Sequence, residues 1–546
     1  MLAEPPAPGR TQGNSLAAAT LMFSVFVLGA CGLLYELIVG AVSTYLLGSS
    51  VTQFSLTVGL FMSSMGLGSY LSKWIRGQLI DRFILIELLV GLAGGASPLL
   101  LMLVYSLNSL WLYRLAMLAA ITIIGTAIGL EIPLLTRIVN ELGGSLRVAL
   151  ARVLALDYVG ALIGAVGLPL VLIPWLGLLG SGFVAGFLNV FVGLVNLGVY
   201  RGQVAAPRFL AAGGLVALGL LGVAAGSVQP LEYFVESRLY ADRIVLMRTT
   251  PYQKIVVTQW GNDIRLFLDG AIQFSSVDEH RYHESLVHPG LSAVPERASV
   301  LILGGGDGMA LREVLKYPDV QHVELVDIDP EMVEVSRTFP ALTALNRGSL
   351  DDARLSVRPM DAFAFLRETS DRFQFIIVDL PDPHDEKLST LYSREFYSLV
   401  ARHLDVRGAV AVQSTSPFFA REAFWCIHKT LESAGLVVYA YHTNVPSFGD
   451  WGFNLAFARV SSPGARDADQ GEAVSDTGRV GAHPELPEYW RSTEALLPVE
   501  TRYLDRGLVT ASFSFGKDVA EVEVSFSTVF RPAIAEYYVK GWRQWN

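Results

Sequence analysis

Seven apolar runs of about 20 residues, each long enough to cross the roughly 30 Å hydrocarbon core of a bilayer, crowd into the first 229 positions of the chain. They lie near 17–40, 51–72, 84–105, 112–135, 154–173, 176–199 and 209–228. This density predicts an all-α polytopic membrane bundle of about seven helices over 16–229, preceded by a short tail at 1–15. The run that begins at Leu16 continues to about Gly40 without a small-residue cleavage site, so it reads as a first span and not as a removed signal. Glycines recur inside the runs, as in Ser64-Met65-Gly66-Leu67-Gly68-Ser69 and Gly160-Ala161-Leu162-Ile163-Gly164. Small residues at this spacing let helix backbones approach closely in lipid.

Charge separates the two halves of the chain. Up to residue 229 there are ten Lys/Arg and seven Asp/Glu; beyond it there are thirty-one and forty-four. The acidic excess argues against a nucleic acid as partner, because phosphate recognition needs a basic surface, and it suits a cationic substrate. Two cysteines, Cys31 and Cys426, are too few for a disulfide framework or a Cys-rich zinc site.

Between the apolar runs, Lys73, Arg76 and Arg82, then Arg137, Arg147 and Arg152, then Arg201 and Arg208 mark one side. The positive-inside rule makes that side cytoplasmic. An odd number of crossings from a cytoplasmic N-terminus would leave the C-terminal half outside, whereas the chemistry read below needs cytoplasmic metabolites. A re-entrant segment within 154–199 would remove the conflict, and the expectation is a multi-pass protein of the cell (inner) membrane with its catalytic part in the cytoplasm. Glu36, Glu131 and Asp157 fall in or beside the runs, where ionised groups are costly and point to function; pairing with Arg114 or Arg137 is the plainer alternative.

After Pro230 the pattern becomes that of a water-soluble domain. Residues 255–274 alternate and turn like β-hairpins, which places a small β-rich part at 230–298. Runs at 300–303, 323–326, 355–357, 375–378 and 409–412 alternate with helical patterns and predict an α/β domain over 299–460, a parallel sheet flanked by helices. Residues 461–484, rich in Gly, Ala, Asp and Ser, read as a linker, and 485–546 as a C-terminal segment that folds back.

The first of these strands runs into Gly304-Gly305-Gly306-Asp307-Gly308. Glycines at a strand-to-helix turn let the backbone approach a nucleotide, and the Asp327-Ile328-Asp329 that ends the next strand lies where a carboxylate accepts ribose hydroxyls. Asp361 ends the third strand beside Ala362, placed to take the exocyclic amine of adenine. An adenosyl ligand fits; a dinucleotide fits less well, because Asp307 would repel its pyrophosphate while attracting an ammonium or sulfonium. The bland reading of Asp307 is a helix N-cap. The fourth strand ends in Asp379-Leu380-Pro381-Asp382-Pro383. A diamine with amine pKa values of about 10 must lose a proton before it attacks; Asp379 is placed to take that proton and Asp382 to hold a charged amine. Two turn-forming aspartates beside prolines are the competing interpretation.

Together, Thr250-Pro251-Tyr252-Gln253-Lys254-Ile255, Leu268-Asp269-Gly270-Ala271-Ile272-Gln273, Asp278-Glu279-His280-Arg281-Tyr282-His283-Glu284, the Leu303–Gly308 loop and Asp379–Pro383 resemble the spermidine synthase (polyamine aminopropyltransferase) family over about 249–460. Leu34-Tyr35-Glu36-Leu37 and Glu131-Ile132-Pro133-Leu134-Leu135 resemble the membrane region attached to some bacterial members. The resemblance implies a Rossmann-like, methyltransferase-type domain and transfer of aminopropyl from decarboxylated S-adenosylmethionine, as co-substrate, to putrescine or a similar diamine. It implies no other cofactor and no metal, because the sulfonium already makes its neighbouring carbon electrophilic. A homo-oligomer, dimer or tetramer, is also implied.

By motif match Gln253, Gly304, Gly306, Asp327, Asp361 and Ala362 would contact the nucleoside. Tyr282, His283, Asp307 and Asp382 would line the amine channel, and Asp379 would be the proton acceptor; Tyr282 and His283 would otherwise read as core residues of a helix. The chain departs from the family in placing His384-Asp385-Glu386-Lys387 after Pro383, and Phe448 at about the place of an expected tyrosine. Two rivals stay open: a methyltransferase using intact S-adenosylmethionine, and a polyamine transporter or sensor whose synthase-like domain only binds ligand.

Overall fold

The computed structural model describes residues 9–47, 50–107, 109–141, 146–458, 490 and 497–545. The chain divides into two compact units, Met1–Ala241 and Asp242–Asn546. The linker expected at 461–484 lies outside the described residues.

The first unit is helical throughout: α1 (Gly9–Leu47), α2 (Ser50–Leu71), α3 (Leu79–Tyr105), α4 (Leu110–Glu141), α5 (Leu146–Gly167), α6 (Ile173–Val199), α7 (Pro207–Gly226) and α8 (Val228–Glu236). Among the described residues six helices are long and apolar enough to cross a membrane. The fifth of these is one stretch, Arg147–Val199, of 53 residues, which holds two of the seven apolar runs. At about 1.5 Å per residue such a length is more than twice a hydrocarbon core of roughly 30 Å. The helix is interrupted where Leu168–Leu172 widens into a π turn and Gly177 leaves helical geometry at φ 67°.

Small residues do bring the helices together. A Cβ at Gly68 or Gly129 would strike the facing backbone of Thr126 or Met65, joining α2 to α4, and one at Gly164 would lie 2.6 Å from the Ala30 carbonyl, joining α5 to α1. Gly66, in the same motif as Gly68, faces open space. Outward-facing Trp175, Phe209 and Val223 are 83%, 77% and 71% exposed, an apolar exterior that water does not favour.

The second unit opens with an antiparallel sheet of β1 (Arg243–Thr249), β2 (Lys254–Trp260), β3 (Asp263–Leu268) and β4 (Ala271–Ser275) in that order. Helix α9 (Glu279–Leu291) follows. The main sheet contains β5 (Ser299–Gly304), β6 (His322–Asp327), β7 (Leu355–Pro359), β8 (Phe373–Asp379), β9 (Leu404–Gln413), β10 (Leu436–Val445) and β11 (Gly449–Ala458). Its order is β10-β11-β9-β8-β5-β6-β7, with β5 to β9 parallel and the β10–β11 hairpin antiparallel at one edge. Both faces are covered. Val300, Ile302, Phe375 and Ile377 enter one core and Leu301, Leu303, Ile376 and Val378 the other, as the two-residue period of a strand requires. The near-continuous apolar strands of the sequence are thus those of a doubly covered parallel sheet. Helices α10 (Met309–Val314), α11 (Pro330–Thr338), α12 (Pro340–Asn346) and α13 (Ala362–Glu368) follow β5, β6 and β7.

Candidate active site

Strand order reverses between β5 and β8, and in open α/β sheets ligands settle in the crevice at such a switch point. The two strands meet at their carboxyl ends, where Gly304 pairs with Asp379 and the Gly305 amide donates to the Asp379 carbonyl at 3.2 Å. Gly304 has φ 83°, and a Cβ there would collide with the Asp379 carbonyl. Gly304→Ala is therefore expected to destabilise this end of the sheet by about 1–3 kcal/mol. Urea titration of the purified full-length chain, with aminopropyl transfer measured in parallel, checks it; wild-type behaviour in both would show that the close approach is not needed.

Beyond the glycines, Asp307 accepts from the Met309 amide at 2.8 Å through Oδ1. The N-cap of α10 is Gly308, which makes no side-chain cap bond, so Asp307 reaches the first helical amide from one residue before the cap and is not itself the cap; its carboxylate also acts electrostatically on Asp379 and His283. Asp379 accepts a 2.6 Å hydrogen bond from the Tyr282 hydroxyl. Burial, the largest influence, pushes the Asp379 carboxyl up to about 6; Asp307 adds to this, while His283 and the Tyr282 bond oppose it. A carboxylate so tuned is poised to exchange a proton near neutral pH.

Helix α9 delivers Tyr282 and His283, and it is a buried helix full of polar groups. His283 Nδ1 lies 2.8 Å from the Glu279 carbonyl and 2.9 Å from its carboxylate, so Nδ1 carries a proton. Burial works against the imidazolium, but Glu279, and then Asp307 and Asp379, raise the His283 pKa overall. Arg312 of α10 grips Glu279 with two bonds, Nη1 to Oε1 at 3.0 Å and Nη2 to Oε2 at 2.9 Å. Burial alone would raise the Glu279 pKa; His283 and Arg312 together win and hold it at about 2. Two further acids on and beside α9 tie in distant chain. Asp278 accepts from the Ser447 amide at 2.6 Å, and Glu284 accepts from the amides of Arg502, Tyr503 and Leu504 at 2.6, 2.8 and 2.9 Å.

On the other side of β5, Asp327 accepts from the Gly306 amide at 3.0 Å and the Asp329 amide at 2.9 Å. Burial, countered by these two bonds, pushes its carboxyl up to about 6. Gln253 is brought here by its 2.9 Å bond to Asp329, which also accepts from Thr250 at 2.9 Å. Asp361 caps α13 by accepting from the Ala364 amide at 2.8 Å, and Ala362 is buried in its first turn.

Asp382 sits past the end of β8, accepting from Gln413 at 3.2 Å and from Thr415 at 3.0 Å. Burial raises its pKa against the bonds from Gln413, Thr415 and Tyr538. Gln413 also donates to the Tyr392 hydroxyl at 2.6 Å. Thr415 has φ 57°, rare for a β-branched residue and characteristic of places where backbone strain serves a site. Phe448 packs edge-on against Tyr282 at 6.0 Å between ring centroids.

Sequence reasoning did not single out Glu279, Arg312, Asp329, Gln413, Thr415 or Tyr538 for the site. For Glu279 and Asp329, the acidic Asp278–Glu284 motif and the second carboxylate of Asp327-Ile328-Asp329 were usable signals; Arg312 carried none. Gln413, Thr415 and Tyr538 reach Asp382 only through the tertiary fold.

Asp307 and Asp379 act on the His283 imidazole, Asp307 also on Asp327, and Asp379 and Asp382 on Tyr282, an anionic environment that favours a cationic ligand. Residues 279–463 match the spermine/spermidine synthase domain. Polyamine aminopropyltransferase 2 of Ralstonia nicotianae is 40% identical over 537 residues, covering 97% of this chain and 99% of that protein. Polyamine aminopropyltransferase 1 of Streptomyces coelicolor is 40% identical over 552 residues, covering 99% and 97%. Spermidine synthase from Thermotoga maritima superposes with a TM-score of 0.41 at 24% identity, over 51% of this chain and 86% of that one. The near full-length relationship to the bacterial enzymes, helical unit included, places this chain in the polyamine aminopropyltransferase family.

Proposed function

We propose that the chain transfers the aminopropyl group of decarboxylated S-adenosylmethionine to putrescine or a related diamine, yielding spermidine or an analogue and methylthioadenosine. The diamine nitrogen's lone pair attacks the methylene carbon beside the sulfonium. The C–S bond breaks, its electron pair passes to sulfur, and Asp379 takes the proton lost by the nitrogen. In this reading Asp327 receives the ribose hydroxyls, Gln253 and Asp329 close that side, and Asp361 and Ala362 meet adenine. Gly304 and Gly306 leave room for the nucleoside. Tyr282, His283, Asp307 and Asp382 line the amine path.

The observation that carries the reading is Asp379, half-buried, bonded to Tyr282 and raised to about 6. This is a base that is ionised at neutral pH yet holds a proton readily. The methyltransferase rival is disfavoured by Asp307, whose carboxylate repels that of intact S-adenosylmethionine.

The helical unit is read as a multi-pass anchor in the cell membrane, supported by six helices of sufficient length and apolarity and by their exposed Trp175 and Phe209. The catalytic unit then works in the cytoplasm, where its substrates are made.

The test supplies full-length protein with decarboxylated or intact S-adenosylmethionine and a panel of diamines, with products identified by mass spectrometry. Aminopropylated diamine from the decarboxylated donor alone is expected; methylated product or no turnover would overturn the assignment. Asp307→Asn is expected to narrow the preference for the decarboxylated donor about tenfold, or ~1.4 kcal/mol, measured as the ratio of inhibition constants of the two donors.

A further inference from the structure

Deep in the helical unit, outside the site described above, three helices bring polar groups together without a fixed cation. Tyr35 of α1 and Glu87 of α3 are fully buried and Glu131 of α4 is 4% exposed. Glu87 and Glu131 both act electrostatically on Tyr35, Glu131 acts on Glu87, and Asp157 on Glu131. Asn189 of α6 donates to Glu87 Oε2 at 2.8 Å and to the Glu87 carbonyl at 3.1 Å, which fixes that side chain. Three oxygens, Tyr35 Oη, Glu87 Oε1 and Glu131 Oε1, are buried and have no hydrogen-bond partner among the described residues. Among the described residues no Lys or Arg acts on the two carboxylates. Arg137, which the sequence offered as a partner for Glu131, donates instead to the carbonyls of Ser72 and Ile75 at 2.9 and 3.0 Å.

Buried carboxylates without a cation are unfavourable, and in apolar helices they mark function. What is missing is one positive charge and a set of donors. A primary ammonium supplies both, with three N–H donors and no acceptor, matching three unpartnered oxygens. A bound metal fits less well, since no group of three or more His, Cys, Asp or Glu among the described residues could hold one. We propose that Tyr35, Glu87 and Glu131 form a binding site for a primary ammonium group within the helical unit.

Equilibrium dialysis of radiolabelled 1,4-diaminobutane against the full-length protein in zwitterionic lipid nanodiscs tests this. Two equivalents per chain are expected, one lost in Glu87→Gln/Glu131→Gln and the other in Asp382→Asn. The Gln pair should keep wild-type aminopropyl transfer. An equal stoichiometry in wild type and the Gln pair would overturn the proposal and leave the carboxylates sharing only a proton. Loss of the first equivalent with Asp382→Asn silent would instead count against the catalytic reading alone. Should the Gln pair fail to fold, Tyr35→Phe, which removes one oxygen, is expected to weaken the first class about tenfold; unchanged affinity there would overturn the proposal.

Discussion

Asparagine in place of Asp379 is expected to lower aminopropyl transfer by about 10²–10⁴-fold, the usual contribution of a positioned base, with product formation measured at saturating donor and diamine. The wild-type rate should climb as pH rises through about 6, where Asp379 loses its proton, and the variant should lack that limb. Stability should move the other way. Burial raises the carboxyl of Asp379 above its ordinary value, so the stability linked to its protonated form is full at low pH and disappears as pH rises through about 6. Above that pH the neutral amide escapes the cost of burying a charge, and Asp379→Asn should unfold at the wild-type temperature or higher. A variant within tenfold of wild-type activity would dismiss Asp379 as the base, whatever its stability.

Removing the guanidinium of Arg312 is expected to cost about 3–5 kcal/mol, the range for a buried ion pair that loses one member. Arg312→Ala leaves Glu279 without two bonds and Glu313 without the 2.8 Å bond from Arg312 Nε. Denaturant unfolding of the full-length protein at pH 7 reads the loss. Acid titration supplies the sign. Glu279 is held at about 2 against an ordinary value of 4.5, so its share of stability is present above 4.5 and is lost as pH falls toward 2. In Arg312→Ala the acid transition should shift to higher pH. Arg312→Lys should recover only part of the stability, because an ammonium cannot reproduce two parallel N–H bonds to one carboxylate. A loss below ~1 kcal/mol would mean that this cluster is solvated like a surface pair.

The parts of the site readable from sequence are those encoded locally. A glycine turn after an apolar strand, with a carboxylate at the end of the next strand, has fixed spacing, and Gly306 and Asp327 do meet through a 3.0 Å hydrogen bond. Asp379 and Asp382 were visible because strand ends in a parallel sheet face the crevice. Asp361 and Asp307 show the limit of such reading: each accepts a backbone amide at a helix start, Asp361 as the cap of α13 and Asp307 from one residue before the α10 cap, so a carboxylate at this position in the sequence has a local structural role independent of any ligand.

What escaped was held by distance along the chain. Arg312 reaches back 33 residues to Glu279, and Thr415 reaches Asp382 only because β9 runs beside β8. The β10–β11 hairpin was not expected either, although Leu436-Val437-Val438-Tyr439 carries the β-branched and aromatic bias of a strand. In the helical unit the apolar runs were legible from length and composition, and the division between 154–173 and 176–199 falls close to the departure from helical geometry at Gly177. Glu87 passed unremarked inside an apolar run and proves to be among the most deeply buried acids.

Glu284 gives the C-terminal segment a meaning that its position in the chain conceals. Its carboxylate neighbours His283 in α9 and is saturated by three amides from residues 502–504. Residues 279–463, the part that matches the synthase domain, would by themselves leave this carboxylate, beside His283 in sequence, without its three amide donors. Residues 502–504 thus brace the helix that carries Tyr282 and His283, and the support of that helix extends to Leu504.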